Sequence, residues 1–397
     1  MSDSLLALLT SIRDFLWGVP CTAALFGCGI YFLCKSGFYP ARKAPEIARS
    51  LFSALTKKQL TGSGISPLMA LSTALGGTVG IGSIIGIAYA INTGGAGSIF
   101  WMWISGFIGM SLKYAECSIA VIHRRRSSSG FIGGTQYVFS ALGKQKSAVL
   151  FCVACILTSL GTGSITQVNA VGKLLKPYGI SDHIVGTVLV LITAYIISGG
   201  RKKIGRANEF IMPTASILYV IFVLIIIFRC RASFFSAISS IFENAFGINQ
   251  ITGGICGASI INAFRTGFSK GVFSNEAGMG TSPIAHSASE YTTPHLQGQW
   301  GIFEVFFDTF IVSTLTAVAL ISSGQNRMSD MFMLFYGNTG NIIFTVMTVI
   351  FAYAAMLSWC FYAESCIIYL SSSRFLLLLY RIIFCVSVYV GVILEAG

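Results

Sequence analysis

Apolar runs alternate with short polar loops along almost the whole chain. Ten hydrophobic segments stand out, at residues 19–35, 66–91, 97–121, 148–171, 184–199, 209–228, 235–268, 300–323, 341–370 and 375–394. A helix of about 20 apolar residues crosses a hydrocarbon core of roughly 30 Å. These runs are longer than barrel strands and lack their alternation, so helices are the expected spans. The pattern predicts an all-α integral membrane protein of about ten transmembrane helices, with a single polytopic domain over residues 1–397.

The composition excludes a soluble globular domain. Hydrophobic residues make up 54% of the chain and charged residues 10%, and the mean hydropathy is +0.77. A soluble domain carries about 25% charged residues. The formal net charge of +12 does not indicate a nucleic acid partner, because the basic residues cluster in short loops without interleaved aromatic residues. The lipid bilayer is the expected surrounding.

The basic loops also predict the orientation. Lys and Arg are concentrated in odd-numbered loops, at Lys35, Arg42, Lys43, Arg49, Lys57, Lys58, Arg124, Arg125, Arg126, Lys144, Lys146, Arg201, Lys202, Lys203, Arg206, Arg374 and Arg381. By the positive-inside rule these loops face the cytoplasm, and the N-terminus lies outside a bacterial inner membrane. On this topology Arg265 and Lys270 mark the cytoplasmic end of the seventh segment.

Two segments are unusually rich in glycine. The second holds Gly76, Gly77, Gly80, Gly82 and Gly86, with Thr78 and Ser83 among them, and the seventh holds Gly253, Gly254 and Gly257. Glycine is a poor helix former, and a break inside a bilayer is tolerated where it lines a polar cavity. Secondary transporters use such breaks to bind carboxylates and cations. The alternative is that the glycines only allow close helix packing.

Polar residues inside apolar segments are candidate functional residues. Gln167 lies in the fourth segment, and Trp359 in the ninth is expected to be a packing residue or an interfacial anchor. Glu304 and Asp308 are spaced i, i+4 in the eighth segment and are expected to share a helical face, where they would handle a proton or a cation. The alternative for Glu304 is a place at the membrane interface. For Lys113 and Glu116, a local i, i+3 ion pair is expected.

An enzyme is not expected from this sequence. The four histidines fall in predicted loops or at segment ends, and none has metal-ligand spacing or a nucleophile motif. Most of the eleven cysteines lie inside apolar runs and are expected to pack there. We therefore predict no catalytic residues, no metal cluster and no cofactor, apart from a coupling sodium ion.

Four stretches resemble the alanine/glycine:cation symporter family, also called the sodium:alanine symporter family. They are the run from Ala70 to Glu116 that contains "ALGGTVGIGS", the run from Gly267 to Ser289 that contains "SNEAGMG", "GIFEVFFDTFIVSTLTA" from Gly301, and "FAYAAMLSWCFYAE" from Phe351. The similarity extends over residues 15–394. The family signature residues are Ser274, Asn275, Glu276, Gly278, Met279 and Gly280.

The resemblance implies a leucine-transporter-like inverted repeat of the amino acid/polyamine/cation superfamily, with a peripheral first helix. It implies symport of alanine or glycine with sodium or a proton. Gln167, in "TQVNA", matches the family's binding glutamine, and Trp359 matches its pocket tryptophan. The implied substrate site joins both broken helices: Gly76, Gly77, Thr78, Gly80, Gly82, Ser83, Gly253, Gly254 and Gly257, with Gln167 and Trp359.

The chain departs from the family pattern at its expected ion ligands. Ser83 stands where the family usually has Asn, and Ala354 and Ala355 stand where it usually has Ser-Thr. Fewer oxygen ligands should weaken a sodium site, so we expect weak sodium dependence, with Glu304 and Asp308 as proton acceptors.

The family pattern continues into a helix beyond Gly397, so the second repeat is expected to lack its last helix. The leading hypothesis is a symporter of small amino acids. The alternative is a truncated, non-transporting or ion-uncoupled remnant that only binds the amino acid.

Overall fold

The computed structural model describes residues 7–8, 10–11, 15, 19–56, 64–127, 130–247, 255–290 and 292–394. The first half of the described chain contains helices α1 Val19–Lys35, α2 Tyr39–Arg42, α3 Ala44–Thr56, α4 Pro67–Thr78, α5 Ile81–Gly94, α6 Ser98–Ile122, α7 Thr135–Ala141, α8 Gln145–Leu160, α9 Thr166–Leu175 and α10 Asp182–Ser198. The second half contains α11 Gly200–Arg229, α12 Arg231–Phe246, α13 Ile255–Asn275, α14 Pro283–Ser287, α15 Pro294–Val305, α16 Thr314–Ser323, α17 Met328–Tyr336, α18 Asn338–Leu370 and α19 Arg374–Ile393.

Shorter elements join these helices. Strands β1 Arg125–Ser127 and β2 Gly130–Ile132 form an antiparallel hairpin. Wide π-helical turns, Gly161–Ile165 and Phe306–Ser313, join α8 to α9 and α15 to α16, and a 3₁₀ turn, Lys176–Tyr178, follows α9.

The described chain is mostly helical, and six of its helical stretches are long and apolar enough to cross a membrane. They are Pro67–Gly94, Gln145–Tyr178, Gly200–Arg229, Pro294–Ser323, Asn338–Leu370 and Arg374–Ile393. Pro20–Lys35 and Asp182–Ser198 are shorter apolar helices. The prediction of a helical, multi-pass membrane protein is thereby supported.

The second hydrophobic segment is interrupted, which is one of the two alternatives that its glycines leave open. Helix α4 ends at Thr78 and α5 begins at Ile81. Gly80 precedes α5 in an extended conformation, with φ −122° and ψ −153°. The helical hydrogen-bond ladder therefore stops in the middle of an apolar segment that is largely buried.

The seventh hydrophobic segment does not form the single span that was expected. Helix α12 ends at Phe246, where Gly247 caps it in the left-handed conformation with φ 64°. Gly253 and Gly254 lie outside the described residues, and Gly257 lies within α13. The prediction of one span over 235–268 is therefore wrong.

The described interruption of this part of the chain comes later, at residues 276–282. We call this segment the signature loop, because it holds most of "SNEAGMG". It separates α13 from α14, and Glu276, Gly278 and Gly280 have φ of 51°, 90° and 74°. Left-handed backbone is easy for glycine but costs energy for Glu276.

Lys270 does not mark the cytoplasmic end of a span. Its Nζ lies 4.7 Å from the ring centroid of Tyr89, in α5 beyond the break. The end of the molecule that carries the basic loops lies on the other side of the break from Lys270. There Arg124 donates to the Ser289 carbonyl, and Ile65 pairs with Ser289 in an isolated β-bridge. The expectation fails because α13 runs to Asn275, past the predicted end of the segment.

Helix α18 forms a wall against the broken helix. Residues 354–366 of α18 are all buried. A Cβ atom at Gly76 of α4 would collide with Ser358 Oγ and lie 3.1 Å from the Ala354 carbonyl. Gly77 faces Tyr362, whose hydroxyl would lie 2.6 Å from such a Cβ. These two glycines therefore serve close helix packing.

Two glycines of the broken helix should respond differently to alanine. Gly76→Ala is expected to lower the midpoint of thermal unfolding, because overpacking a tight contact costs about 1–3 kcal/mol. Gly86→Ala is the matched control: a Cβ there meets no atom within 4 Å, so its midpoint should be unchanged or higher. Thermal unfolding in detergent, followed by size-exclusion chromatography, measures both. Equal midpoints for the two variants would contradict the packing role of Gly76.

Candidate functional site

The break in the second segment exposes helix-end backbone groups inside the protein. Val79 N donates to Leu75 O over 2.7 Å, and Gly80 N donates to Thr78 O over 3.1 Å. Gly80 caps α5 without a side-chain hydrogen bond. Ser83 N donates to Gly80 O over 3.2 Å. The N–H groups of Ile81 and Gly82 have no helical carbonyl before them, and such an end attracts a carboxylate.

Gln167 places an unpaired acceptor beside this break. Its Oε1 lies 3.6 Å from the position of a Cβ at Gly80. Its Nε2 donates to Thr162 O over 3.3 Å, at the π-helical turn before α9. Gln167 Oε1 is buried, and no described residue hydrogen-bonds to it. An acceptor beside free amide donors suits a zwitterion, which carries an ammonium group and a carboxylate.

Of two side chains one turn apart on α18, Ala355 limits the space at the break and Trp359 packs on the neighbouring π-helical turn. A Cβ at Gly80 would lie 3.3 Å from the Ala355 Cβ. Trp359 packs its Cβ and ring against Gly163 and meets the Tyr362 ring edge-on at 5.6 Å between centroids. Trp359 is buried. The Ala355 methyl group therefore lies beside Gly80, and the Trp359 indole packs on Gly163 in the π-helical turn that precedes Gln167.

A second cluster lies one turn along α5. Ser83 Oγ is 2.6 Å from Asp308 Oδ1, 2.9 Å from Ser274 Oγ and 3.1 Å from Thr78 O. Ser274 Oγ is 2.7 Å from Asp308 Oδ2. These are four short contacts between oxygen atoms, but the two serines supply only two hydroxyl hydrogens. The cluster of Ser83, Ser274 and Asp308, with the Thr78 carbonyl, is therefore rich enough in oxygen to accept a proton or a hard cation.

The structure gives Glu304 and Asp308 different partners, although they are four residues apart. The π-helical turn Phe306–Ser313 begins between them and changes the helical register. Glu304 Oε1 is 3.4 Å from Lys113 Nζ, and Glu304 Oε2 is 3.0 Å from His286 Nε2. Glu304 is fully buried. The alternative that Glu304 lies at the membrane interface is therefore wrong.

Lys113 binds the signature loop rather than acting only locally with Glu116. Its Nζ donates to Ser282 Oγ over 2.7 Å and to Glu276 O over 3.0 Å. Glu116 Oε2 accepts from Gly278 N over 3.1 Å. The expected i, i+3 pair is thus not the main role of these residues, since both of them hold the loop.

The remaining predicted residues divide between the break, the loop and tight packing. Thr78 donates its hydroxyl to Leu75 O over 3.2 Å, and a Cβ at Gly82 would lie 3.5 Å from the Phe273 ring. Asn275 Oδ1 accepts from Ala277 N over 3.0 Å, and Thr281 donates to Glu276 Oε2 over 2.6 Å. Ala354 is buried against α4.

Sequence reasoning missed His286 and Ser282. Both are fully buried and bind the Glu304 and Lys113 side chains. The sequence places them in a polar stretch between two apolar segments, which indicates an exposed loop. Neither has a partner at helical or metal-ligand spacing, so no local pattern indicates their burial.

Comparison with known proteins identifies the family. The family model described as "Sodium:alanine symporter family" matches residues 2–397. This chain belongs to the sodium:alanine symporter family. The family and its named relatives are transporters, so the chain is a membrane transporter and not an enzyme.

Several family members are similar over most of their length. An uncharacterised transporter of Haemophilus influenzae is 35% identical over 404 aligned positions, covering 98% of this chain and 88% of that protein. The sodium/alanine symporter AgcS of Methanococcus maripaludis is 32% identical over 404 positions, covering 97% and 88%. The putative sodium/proton-dependent alanine carrier protein YrbD of Bacillus subtilis is 34% identical over 319 positions, covering 80% and 64%.

A solved structure shares the fold of this sodium:alanine symporter family member. MhsT, crystallised in complex with L-phenylalanine, superposes with a TM-score of 0.54 at 15% sequence identity, covering 82% of this chain and 78% of MhsT. At this identity the likeness concerns the fold alone. It supports the expected leucine-transporter-like architecture.

The unpaired Gln167 acceptor generates a prediction. Gln167→Ala should weaken alanine binding about tenfold or more, because a hydrogen bond to a charged group contributes about 1.5–3 kcal/mol. Equilibrium binding of labelled alanine to detergent-purified protein measures the change. Gln145→Ala, at an exposed position on α8, is the matched control and should bind as wild type. An unchanged dissociation constant for Gln167→Ala would remove this residue from the site.

Proposed function

We propose that this protein is a secondary active symporter of small amino acids of the alanine/glycine type, coupled to sodium or a proton. The observation that carries the proposal is the unpaired Gln167 Oε1 beside the interrupted helix at Gly80. The free N–H groups of α5 would hold the substrate carboxylate, and Gln167 Oε1 would accept from its ammonium group. Ala355 and Trp359 would restrict the side chain to a hydrogen or a methyl group.

The order of elements supports an inverted repeat. In the first repeat, the broken pair α4 and α5 is followed by long α6, short α7 and the helix interrupted at Gly161–Ile165. In the second, α13 and α14 flank the signature loop and are followed by α15–α16, short α17 and long α18. We propose that rocking of one repeat against the other exposes the break to either side of the inner membrane in turn. With the basic loops in the cytoplasm, the N-terminus lies outside.

Coupling is proposed to depend on a single oxygen-rich cluster of Ser83, Ser274 and Asp308. Ala354 and Ala355 contribute methyl groups, not hydroxyls, where α18 faces Gly76 and Gly80. A second sodium site at that place would have only carbonyl oxygens, which is an incomplete shell for a hard cation. A carboxylate such as Asp308 can hold either a sodium ion or a proton.

Uptake into proteoliposomes tests the function and the role of Trp359. Wild-type protein should accumulate labelled alanine and glycine but exclude leucine. Trp359→Ala should weaken alanine uptake and admit larger amino acids, because an extra methylene in a tight pocket changes discrimination by about 10–200-fold. Trp101→Ala, which alters a ring packed on Phe246 and Phe264, is the control. Binding of alanine without any uptake by wild type would favour a non-transporting binder.

The coupling ion is tested by replacing sodium with choline at fixed pH and membrane potential. Most alanine uptake should remain under an inward proton gradient, because the sodium ligands are depleted. The double variant Ala354→Ser/Ala355→Thr should increase the dependence on sodium by restoring two hydroxyl oxygens. Ala363→Ser, at another buried position of α18, is the matched control. Loss of all wild-type uptake without sodium would disprove proton coupling.

A further inference from the structure

His286 has an acceptor oxygen at each ring nitrogen. Nδ1 is 2.6 Å from Gln297 Oε1, and Nε2 is 3.0 Å from Glu304 Oε2. The Gln297 amide is oriented by its other end, because Nε2 donates to Thr292 Oγ1 over 3.1 Å. With Glu304 ionised and the Gln297 amide oriented by Thr292, both ring nitrogens face acceptors, and only the protonated imidazole donates from both. The geometry therefore corresponds to a histidine that holds an additional proton.

The surroundings of the His286–Glu304 pair are rich in carboxylates. Lys113 is a cation in contact with Glu304, and Cys117 faces His286 from the same helix, α6. Four other titratable groups interact electrostatically with Glu304. They are Glu116 on α6, Glu276 in the signature loop, Asp308 in the π-helical turn and Tyr362 on α18. Four carboxyl groups thus lie around one lysine, and three of them, Glu276, Glu304 and Asp308, are buried. They cannot all be ionised there without further protons or cations.

The pair lies between a surface and the signature loop. On one side, Gln297 links His286 to half-buried Thr292, beside the exposed start of α15. This is the end of the molecule where Arg124 binds Ser289. On the other side, Glu304 contacts Lys113, which in turn holds Ser282 and the Glu276 carbonyl.

We propose that His286 and Glu304 form a proton-binding site that exchanges with the basic end of the transporter and controls the signature loop. On release, the N–H bond at Nδ1 breaks, the proton passes to water near Thr292, and Gln297 turns its amide to donate to Nδ1. Glu304 then contacts one cation, Lys113, in place of two. Its attraction pulls Lys113 Nζ away from Ser282 Oγ and from the Glu276 carbonyl. The loop that follows Ser274 is thereby loosened.

This proposal rests on the proposed symport, since it adds a proton site to the substrate and Asp308 sites. If the loop must be held for Ser274 to stay in place, then alanine binds the protonated form more tightly. Its affinity should be greatest at low pH and fall as pH rises, by at most about tenfold per pH unit for one proton.

The experiment measures the dissociation constant of labelled alanine for detergent-purified protein across about pH 5.5–8.5, where histidine ordinarily titrates, at constant sodium. Wild-type affinity should fall as pH rises, and His286→Gln should show a clearly smaller pH dependence, with any remaining dependence due to Asp308. His295→Gln is the matched control: it alters an exposed histidine of α15 that binds Tyr114, and it should keep the wild-type slope.

A second variant keeps the proposal testable should His286→Gln fail to fold. Gln297→Met removes the acceptor at Nδ1, so the fall in affinity should begin at lower pH with alanine binding retained at acid pH. Wild-type affinity that is independent of pH, or a wild-type slope in a folded His286→Gln, would overturn the proton site. An unshifted profile in Gln297→Met would do the same. By contrast, absence of alanine binding by the wild type at every pH would contradict the proposed function itself.

Discussion

The structure depends on how a helix can be interrupted inside an apolar bundle. Each backbone group that loses its helical partner there must be paired or must line a polar space. At the break between α4 and α5, Ser83 meets part of this requirement through its contact with the Thr78 carbonyl. The same hydroxyl contacts Asp308. The side chain that pairs with the Thr78 carbonyl therefore also forms part of the oxygen-rich cluster. The N–H groups of Ile81 and Gly82, at the start of α5, have no preceding helical carbonyl, and we propose that they bind the substrate carboxylate.

The glycines of the second segment turn out to have two different uses. Gly76 and Gly77 let α4 approach Ser358 and Tyr362 of α18, which is the packing role. Gly80 adopts the extended conformation at the break, which we propose to be part of the substrate site. Composition alone leaves these alternatives open, because both roles favour the smallest residue. The close approach of α18 also places Ala355 beside the break.

Sequence reasoning recovers features that depend on local pattern and misses those that depend on tertiary contacts. Apolar length is local, so the helical membrane architecture follows from it, and the local cluster of glycines makes the interruption at Gly80 one of two alternatives. The break after Asn275 does not follow from a local pattern, because it depends on tertiary contacts. Glu276 adopts a left-handed backbone conformation, Lys113 donates to its carbonyl oxygen, and Thr281 donates to its carboxylate. A helical spacing of four also misleads for Glu304 and Asp308, because a π-helical turn lies between their contacts. His286 gives no local signal at all.

In the proposed mechanism, coupling follows from shared elements rather than from contact between ligands. A substrate at Gly80 and a cation at Ser83 both bind the first turn of α5, so each would order the turn for the other. Ser274 joins that turn to α13, and the signature loop begins one residue after Asn275. A group that holds the signature loop in place therefore affects Ser274, a proposed cation ligand, without contacting the cation. Such coupling is reciprocal for binding free energies. A substrate that orders α5 must therefore also stabilise the contacts through which Lys113 and Glu304 hold the signature loop.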